Sequence, residues 1–350
     1  MGRFLCKSIR KNDYVLSVDH NWYDYWINSK STVPSTYTGN IFEPIQWDAP
    51  VVPGVDLGHE KAQGKMTGWS ALDTLTLAND KLLLTVGVHG HRAQVRNYNV
   101  STGAKQSDVS SSGICPTVGL VYKITPELNF FANHTENFLM GSVVSTSYEN
   151  AGEVLDPVKT KSNEFGFKYQ HGNVLHTLSF FDMKQANNID VYEGTKKYLR
   201  SDGEQRYKGL EYKAIGKIND KWDFIGGFMY LKATQEKTSK GNYDGLRVNG
   251  APNWQATLGV TYHANDRLDL IFRGVYEGSA TINNEALHVP AYMKFDFGAT
   301  YRTKLDTTPV TITAMCYNLT NKNYWQASST SNNLFVGSPR TFMLSAAFSL

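Results

Sequence analysis

Aromatic and cationic side chains between the apolar segments of this sequence are the residues best suited to chemistry. Aromatic rings stack on flat ligands and attract cations, and guanidinium groups pair with anions. Together they can hold a ligand by contact alone, without catalysis. The candidate ligand contacts are Trp26, Tyr37, Phe42, Trp47, Arg96, Tyr98, Tyr148, Tyr192, Tyr324 and Trp325.

Catalytic chemistry has no comparable support. The motifs GxSxG, HExxH and GxxxxGK[ST] do not occur in the sequence. His89 and His91 share one face of a strand by their spacing and could bind a metal, but no carboxylate or cysteine lies nearby in the sequence to complete such a site. The alternative is that both are polar strand residues. We predict no enzyme activity and no cofactor.

Composition excludes several other classes. The chain is 19% charged and 13% aromatic with a mean hydropathy of -0.39, a combination that excludes disorder. No stretch approaches ~18 apolar residues, so helical membrane spans are excluded. Lys+Arg 35 against Asp+Glu 32 gives a net charge of +3 without a basic cluster, so no nucleic-acid partner is expected. Cys6, Cys115 and Cys316 are too far apart to predict a disulfide framework or a metal site.

Short turn sequences recur at nearly constant spacing between apolar segments. Residues that favour turns mark them at Asp80, Pro126, Gly172, Asp220 and Asp266. The steps between these five residues are 46, 46, 48 and 46 residues. A spacing this regular predicts a repeated unit of two strands.

Longer polar breaks lie between the short turns, and two more short turns are predicted at Lys11–Asp13 and Lys304–Thr307. The longer breaks are residues 27–65, 99–113, 137–160, 236–250, 277–288 and 320–338. Each interval between two successive short turns holds two strands, one on each side of the long break. The whole sequence therefore predicts about 14 strands. Short turns on one rim and long loops on the other are typical of a transmembrane antiparallel β-barrel of the outer-membrane type.

Apolar and polar residues alternate along these strands, as they do in a wall with one face toward lipid. The clearest case is the segment around Leu258, where Leu258 falls on the apolar face and Thr257 on the polar face. A soluble β-sandwich also alternates, but its strands are mostly ~5–6 residues long, whereas these alternate over about 9–12 residues, the length that crosses lipid. The fold class predicted is therefore all-β, a transmembrane barrel.

The barrel interpretation gives several aromatic candidates a second role. Trp26 belongs to a group of aromatic residues from position 22 onward that could form the girdle at the membrane interface. Trp47 and Tyr148 fall deeper in loops, where packing is the alternative to ligand contact. Glu204 and Arg206 have the opposite parity to Glu211, so either a bulge intervenes or they lie above the apolar band.

Four segments of the sequence resemble one known family. Residues 318–325 (NLTNKNYW) are similar to the "NLFDKxYY" segment of TonB-dependent siderophore receptors, and residues 337–341 (GSPRT) to their "G-x-PR" motif. Residues 203–211 (GEQRYKGLE) resemble "GEQRSRGVE". Residues 155–158 followed by 164–168 (LDPV, EFGFK) resemble "L-x-PE" and "YEVGVK".

The resemblance implies a fold and a function. Such receptors are 22-stranded barrels whose lumen holds an N-terminal plug. Residues 1–350 would be the C-terminal portion of that barrel, without a plug, a TonB-contacting segment or a signal peptide, as in a split gene or a fragment. The function implied is uptake of ferric siderophores across the Gram-negative outer membrane. The partners implied are the ferric siderophore, the TonB–ExbB–ExbD complex acting through the plug, and outer-membrane lipid.

Two other functions stay open at this point. One is a passive porin-like channel of about 14 strands, which even-numbered barrels permit. The other is a secreted β-rich binding module, which would place the apolar face inside.

Overall fold

The computed structural model describes residues 11–26, 61–99, 102–328 and 333–349. Eighteen strands form in these ranges, together with one 3-10 turn at Ser239–Gly241. The strands are β1 (Lys11–Tyr25), β2 (Ala62–Leu77), β3 (Leu82–Tyr98), β4 (Lys105–Lys123), β5 (Leu128–Leu139), β6 (Val158–His171), β7 (Val174–Glu193), β8 (Lys196–Asn219), β9 (Trp222–Lys237), β10 (Trp254–Asn265), β11 (Leu268–Glu277), β12 (Ala280–Ile282), β13 (Leu287–Val289), β14 (Tyr292–Leu305), β15 (Thr308–Tyr317), β16 (Trp325–Ala327), β17 (Leu334–Val336) and β18 (Thr341–Phe348).

Fourteen of these strands form one antiparallel sheet in the order β1 to β11, β14, β15 and β18. The remaining four form two small hairpins, β12–β13 and β16–β17, inside the connections that follow β11 and β15. The strand number and the antiparallel arrangement predicted from the turn spacing are confirmed. In the described part of the chain β1 and β18 are the two edges, and every residue of both strands is exposed.

The predicted short turns join the strands in pairs at one end of the sheet, called here the turn rim. The tightest example joins β2 to β3, where Ala78, Asn79 and Asp80 all have a φ between 51° and 66°. Asn and Asp tolerate this left-handed region because their short polar side chains bond locally. The long connections lie at the other end, called here the loop rim.

Three details of the predicted pattern were wrong. Lys11–Asp13 is not a turn but the start of β1, where Lys11 pairs with Thr76. The break at 99–113 is shorter than predicted, because β4 begins at Lys105. β7 and β8 are joined at the loop rim by only two residues, and at 20 and 24 residues they exceed the ~9–11 residues that cross lipid.

The two faces of the sheet follow from its register, because residues directly opposite in neighbouring strands share a face. One such row crosses five strands through Val260, Phe272, Phe297, Cys316 and Phe342. The adjacent row on the other side of the sheet contains the paired residues Arg273 and Asp296. We call these the apolar face and the polar face.

Exposure decides between a membrane wall and a soluble sandwich. Leu258 is 48% exposed and Phe297 43%, although both lie within central strands. A sandwich would bury such side chains against a second sheet. The described residues contain one cluster of buried apolar side chains, and it lies in the loops. The apolar face is therefore free to contact lipid.

Aromatic pairs mark both borders of the apolar face. Trp222 and Tyr262 pack with ring centroids 4.6 Å apart near the turn rim, and Tyr230 and Trp254 with centroids 4.9 Å apart near the loop rim. Eight residues separate Trp222 from Tyr230 in β9, about 27 Å along a strand. This span is comparable to the ~25 Å apolar band of such barrels. No helix in the described residues has the length and apolarity to cross a bilayer.

The facing assignment predicts that arginine is tolerated very differently at two adjacent positions. Leu258→Arg should impair assembly strongly, because a charge on the lipid face at mid-membrane costs ~2–4 kcal/mol. Thr257→Arg, on the polar face, should assemble nearly normally. The fraction of each variant of the intact full-length protein that migrates as a folded barrel on unheated gels measures the difference. Equal tolerance at the two positions would refute the assignment.

Candidate ligand-binding surface

The connection after β15 is held to the sheet by one asparagine. Asn318 is 2% exposed and has a φ of 51°, and its side-chain amide donates to the carbonyls of Lys322 and Ser338 at 2.9 and 3.0 Å. Its side-chain oxygen accepts from the backbone N–H of Lys322 at 2.8 Å. A single side chain thus joins both ends of this connection. These contacts explain the asparagine that begins the NLTNK motif, whereas Lys322 and Ser338 take part only through their backbones.

The same asparagine is fixed to the polar face through a buried carboxylate. The backbone N–H of Asn318 donates to Oδ1 of Asp296 at 2.8 Å. Oδ2 of Asp296 accepts from Nε of Arg273 at 2.7 Å, and Asp296 is fully buried. A buried carboxylate needs such partners, because an unpaired charge away from water is very costly. The three residues, called here the Asn318 junction, connect β11, β14 and the last loop.

Tyr324 has a packing role. Its ring is 8% exposed and lies on Tyr292 with centroids 4.1 Å apart. Gly337 also contacts this ring. A Cβ atom at position 337 would lie only 2.2 Å from the Tyr324 ring, so only glycine fits there. Little of the ring is left for a ligand, in contrast to the expectation from the sequence.

Trp325 also packs inside the loops. It is partly buried against the cluster formed by Ala280, Ile282 and Val289 of the β12–β13 hairpin. The two hairpins therefore form a small structured cap at the loop rim. Arg247 lies in the connection after β9 and donates to the carbonyl of Ser279 at 2.8 Å. This hydrogen bond joins the connection after β9 to the connection after β11.

Tyr148 lies in the connection after β5 and contacts the extended hairpin β7–β8. Its hydroxyl donates to Oδ1 of Asp190 at 2.9 Å, and Nζ of Lys197 lies 3.0 Å from Oδ2 of the same carboxylate. The Lys197 ammonium is also 4.7 Å from the centroid of the Tyr148 ring. The hydrogen bond to the Asp190 carboxylate, together with partial burial, raises the pKa of Tyr148 above its usual value.

Two further tyrosines of the same hairpin also have a cation over the ring. Nζ of Lys240 lies 3.9 Å from the centroid of Tyr192, and the Arg200 guanidinium lies 5.4 Å from that of Tyr198. Tyr192 was expected in a loop, but it belongs to β7 and is 40% exposed. Tyr192 and Lys197 are directly opposite each other and share one face of the hairpin, whereas Tyr198 and Arg200 lie on the other face, where Arg200 pairs with Glu193 at 2.8 Å. The first two pairs, called here the cation–tyrosine rim, are Tyr148, Lys197, Tyr192 and Lys240.

Arg96 and Tyr98 already have partners within the sheet. Both residues have the same parity along β3 as Val86, so they lie on the apolar face of the sheet. They lie closer to the loop rim than the part of β3 that crosses the membrane. Nε of Arg96 is 3.0 Å from Oδ2 of Asp108, and the Tyr98 hydroxyl donates to Gln63 at 2.9 Å. Both predicted contacts therefore point away from the polar face.

The remaining predicted residues divide into two groups. Trp26 directly follows β1 and is 57% exposed, which leaves its ring free for contact. Tyr37, Phe42 and Trp47 lie outside the described residues.

His89 and His91 each have a neighbour within the sheet. His91 stacks on Phe138 with centroids 3.9 Å apart, and His89 lies opposite the buried Cys115. Among the described residues no group of three or more His, Cys, Asp or Glu side chains is arranged to hold a metal ion. These contacts fit the alternative that both histidines are polar strand residues.

Sequence reasoning missed the cations of the cation–tyrosine rim. Lys197 lies 49 residues from Tyr148, and Lys240 lies 48 residues from Tyr192, so no local pattern pairs these cations with their rings. The only available signal was the density of tyrosine and lysine between residues 192 and 200.

An antiparallel sheet with an exposed apolar face, tight turns on one rim and structured aromatic loops on the other is the architecture of an outer-membrane receptor barrel. The chain belongs to the family described as TonB dependent receptor-like, beta-barrel, which matches residues 8–319. The family consists of receptors and transporters rather than enzymes, and its barrels lie in the Gram-negative outer membrane.

Several receptors are similar to this chain. The ferrichrome receptor FcuA of Yersinia enterocolitica is 25% identical over 295 residues, which are 82% of this chain and 39% of that protein. The ferrioxamine B receptor of Salmonella typhimurium is 25% identical over 300 residues, 83% of this chain and 41% of that protein. The crystal structure of BauA, the ferric preacinetobactin receptor from Acinetobacter baumannii, superimposes with a TM-score of 0.81 at 29% identity, covering 97% of this chain and 52% of BauA. The chain thus spans about two fifths of the length of these curated relatives and about half of BauA.

The Asn318 junction predicts a specific loss of stability. Asp296→Ala should lower the free energy of unfolding by about 2 kcal/mol, because a charged hydrogen bond is lost and a backbone N–H is left without its acceptor. Asp220→Ala, in an exposed turn at the turn rim, is the matched control and should have little effect. Urea unfolding of both variants in detergent measures the difference. An unchanged midpoint for Asp296→Ala would show that the junction does not hold the loop.

Proposed function

We propose that this chain forms the C-terminal portion of a 22-stranded outer-membrane receptor that imports ferric siderophores. In this proposal residues 1–350 supply the C-terminal portion of the barrel, of which the described residues form 14 strands, and a plug and the remaining strands are supplied from outside the chain. Among the described residues β1 and β18 each have only one neighbour in the sheet, which supports the proposal, because unpaired backbone groups in lipid require further strands. Import is energised by the TonB–ExbB–ExbD complex acting on the plug.

The family membership and the names of the relatives support the transport function. TonB dependence is general to the family, and the relatives are receptors for ferrichrome, ferrioxamine B and ferric preacinetobactin. These three differ in chemistry, so the proposal specifies ferric siderophores as a class.

The cation–tyrosine rim is the observation that supports ligand binding at the loop rim. It presents two tyrosine rings and two lysines at the loop rim, where an external ligand arrives first. Ferric chelates are large and often anionic, so they can stack on the rings and pair with the cations. Trp26, Tyr37, Phe42 and Trp47 stay proposed contacts.

The rim predicts weaker ligand binding when one of its pairs is removed. Tyr192→Ala in the full-length receptor should weaken binding of a ferric siderophore about fivefold, the effect of losing a contact worth ~1 kcal/mol. Tyr301→Ala is a matched control, because Tyr301 is 42% exposed against 40% for Tyr192 but lies near the turn rim. Fluorescence quenching with ferrichrome and with a ferric catecholate measures both. Equal affinities of Tyr192→Ala and wild type for both chelates would contradict the assignment.

Energy coupling tests the transport function itself. Cells that express the full-length receptor should take up radiolabelled iron from a ferric siderophore, and deletion of tonB should abolish the uptake. A strain without the receptor gives the background. Uptake or ion conductance that persists without TonB would support a passive porin-like channel instead.

A further inference from the structure

One carboxylate lies on the apolar face, within the part of the wall that crosses the membrane. Asp73 of β2 is directly opposite Val86 of β3, so both side chains are on the apolar face. On the same face of β2, Trp69 lies four residues toward the loop rim, and the turn to β3 begins at Ala78, five residues away in the other direction. At ~3.4 Å per residue, Asp73 is therefore more than ~10 Å along the strand from either end of the apolar band.

The Asp73 carboxylate has no hydrogen-bond or ion-pair partner in the part of the chain that the structure describes. Its Oδ1 is buried, and the neighbours of Asp73 on this face are Leu75 and Ala71 in β2 and Val86 in β3. An ionisable side chain inside a membrane is costly and normally pairs with another group. The described residues do not supply such a group, which points to a donor on another molecule.

A hydroxyl group lies beside this carboxylate and also lacks a partner. Tyr14 of β1 is directly opposite Asp73, and its side chain is exposed. Side chains stand roughly perpendicular to a sheet, so the long tyrosine carries its hydroxyl well beyond the short aspartate. Among the described residues the Tyr14 hydroxyl bonds neither to Asp73 nor to any other group. A donor and an acceptor therefore lie side by side and do not satisfy each other within one molecule.

The surface around these two residues is apolar and open. Leu16 and Val18, the next residues of β1 on this face, are both exposed. Ala71 of β2 is directly opposite Leu16, and its small side chain lets a second wall approach closely. Lipid chains offer no donor to Asp73, so a protein wall that carries a donor is the partner that fits this surface.

We propose that a second copy of this protein packs against the apolar face of β1 and β2, and that Tyr14 of each copy donates a hydrogen bond to Asp73 of the other copy. A two-fold axis along the membrane normal leaves every residue at its own depth and makes both contacts identical. The donor and the acceptor must then lie at nearly the same depth. Tyr14 and Asp73 meet this condition, because directly opposite residues of neighbouring strands are only ~5 Å apart.

The length of the tyrosine side chain fits this contact. Two sheets that pack face to face are ~10 Å apart, and a tyrosine that projects from one wall can reach a short carboxylate on the other. Rotation about the Cβ–Cγ bond of Asp73 exchanges its two oxygens, so either one can accept the bond. Two such bonds in each dimer provide a donor for both carboxylates. This contact is independent of the proposed siderophore transport.

The test measures self-association of the intact full-length receptor in detergent micelles by analytical ultracentrifugation. Tyr14→Phe removes only the hydroxyl and should weaken the dimer about tenfold, since a hydrogen bond in a membrane contributes about threefold and each dimer has two. Asp73→Leu should weaken the dimer to a similar extent. The double variant should be no weaker than either single variant, because both changes remove the same two bonds. Tyr301→Phe changes an exposed tyrosine on the apolar face of β14 and should leave the dimer unchanged.

A second measurement identifies the partner in the membrane itself. Leu16→benzoylphenylalanine, a photo-reactive side chain beside the proposed contact, should cross-link in intact cells to a product of twice the mass of the receptor. Phe297→benzoylphenylalanine, at an exposed position on the apolar face of β14, should give no such product.

Three results would overturn the proposal. The first is a wild-type receptor that sediments only as a monomer, and the second is equal self-association of Tyr14→Phe and wild type. The third is cross-linking from position 16 to a different protein or to lipid alone. Both Tyr14→Phe and Asp73→Leu keep the lipid-facing wall apolar, so these variants should assemble like wild type.

Discussion

The structure depends on one constraint, that lipid offers no hydrogen-bond partner to the backbone. Every N–H and C=O in the membrane must therefore be paired between strands. In the described residues each main strand from β2 to β15 meets this requirement with a neighbour on both sides. Once the backbone is satisfied in this way, side chains need no buried core. Apolar residues turn outward, and the one buried apolar cluster lies in the loops.

The strands were largely predictable because their constraint is periodic and local. A lipid-facing residue at every second position and a turn former at each hairpin leave a direct record in the sequence. The strand predictions were wrong or incomplete where the alternation or the turn signal is weak. Residues 175–184 carry apolar side chains on both faces, so the alternation does not assign the register of this part of β7. Lys11–Asp13 has turn-forming residues, but pairing with β2 places them in a strand.

Side-chain roles at the loop rim were much less predictable, because they depend on contacts between distant parts of the chain. Tyr324 and Tyr148 are both loop tyrosines beside polar residues, and the sequence treats them alike. Tyr292, 32 residues earlier, buries the first. Asp190 and Lys197, more than 40 residues later, position the second at the surface. Only the folded sheet brings these partners together.

The Asn318 junction has a consequence for how this protein can vary over evolutionary time. One asparagine closes both ends of the last connection and ties it to the buried carboxylate of Asp296. Because this closure fixes both ends, we expect changes between them, apart from the packed Tyr324 and Trp325, to leave the strand pairing below undisturbed. The outer surface can then change its chemistry while the wall in the membrane keeps its sequence. The junction separates the part of the molecule that must stay constant from the part that is free to diversify.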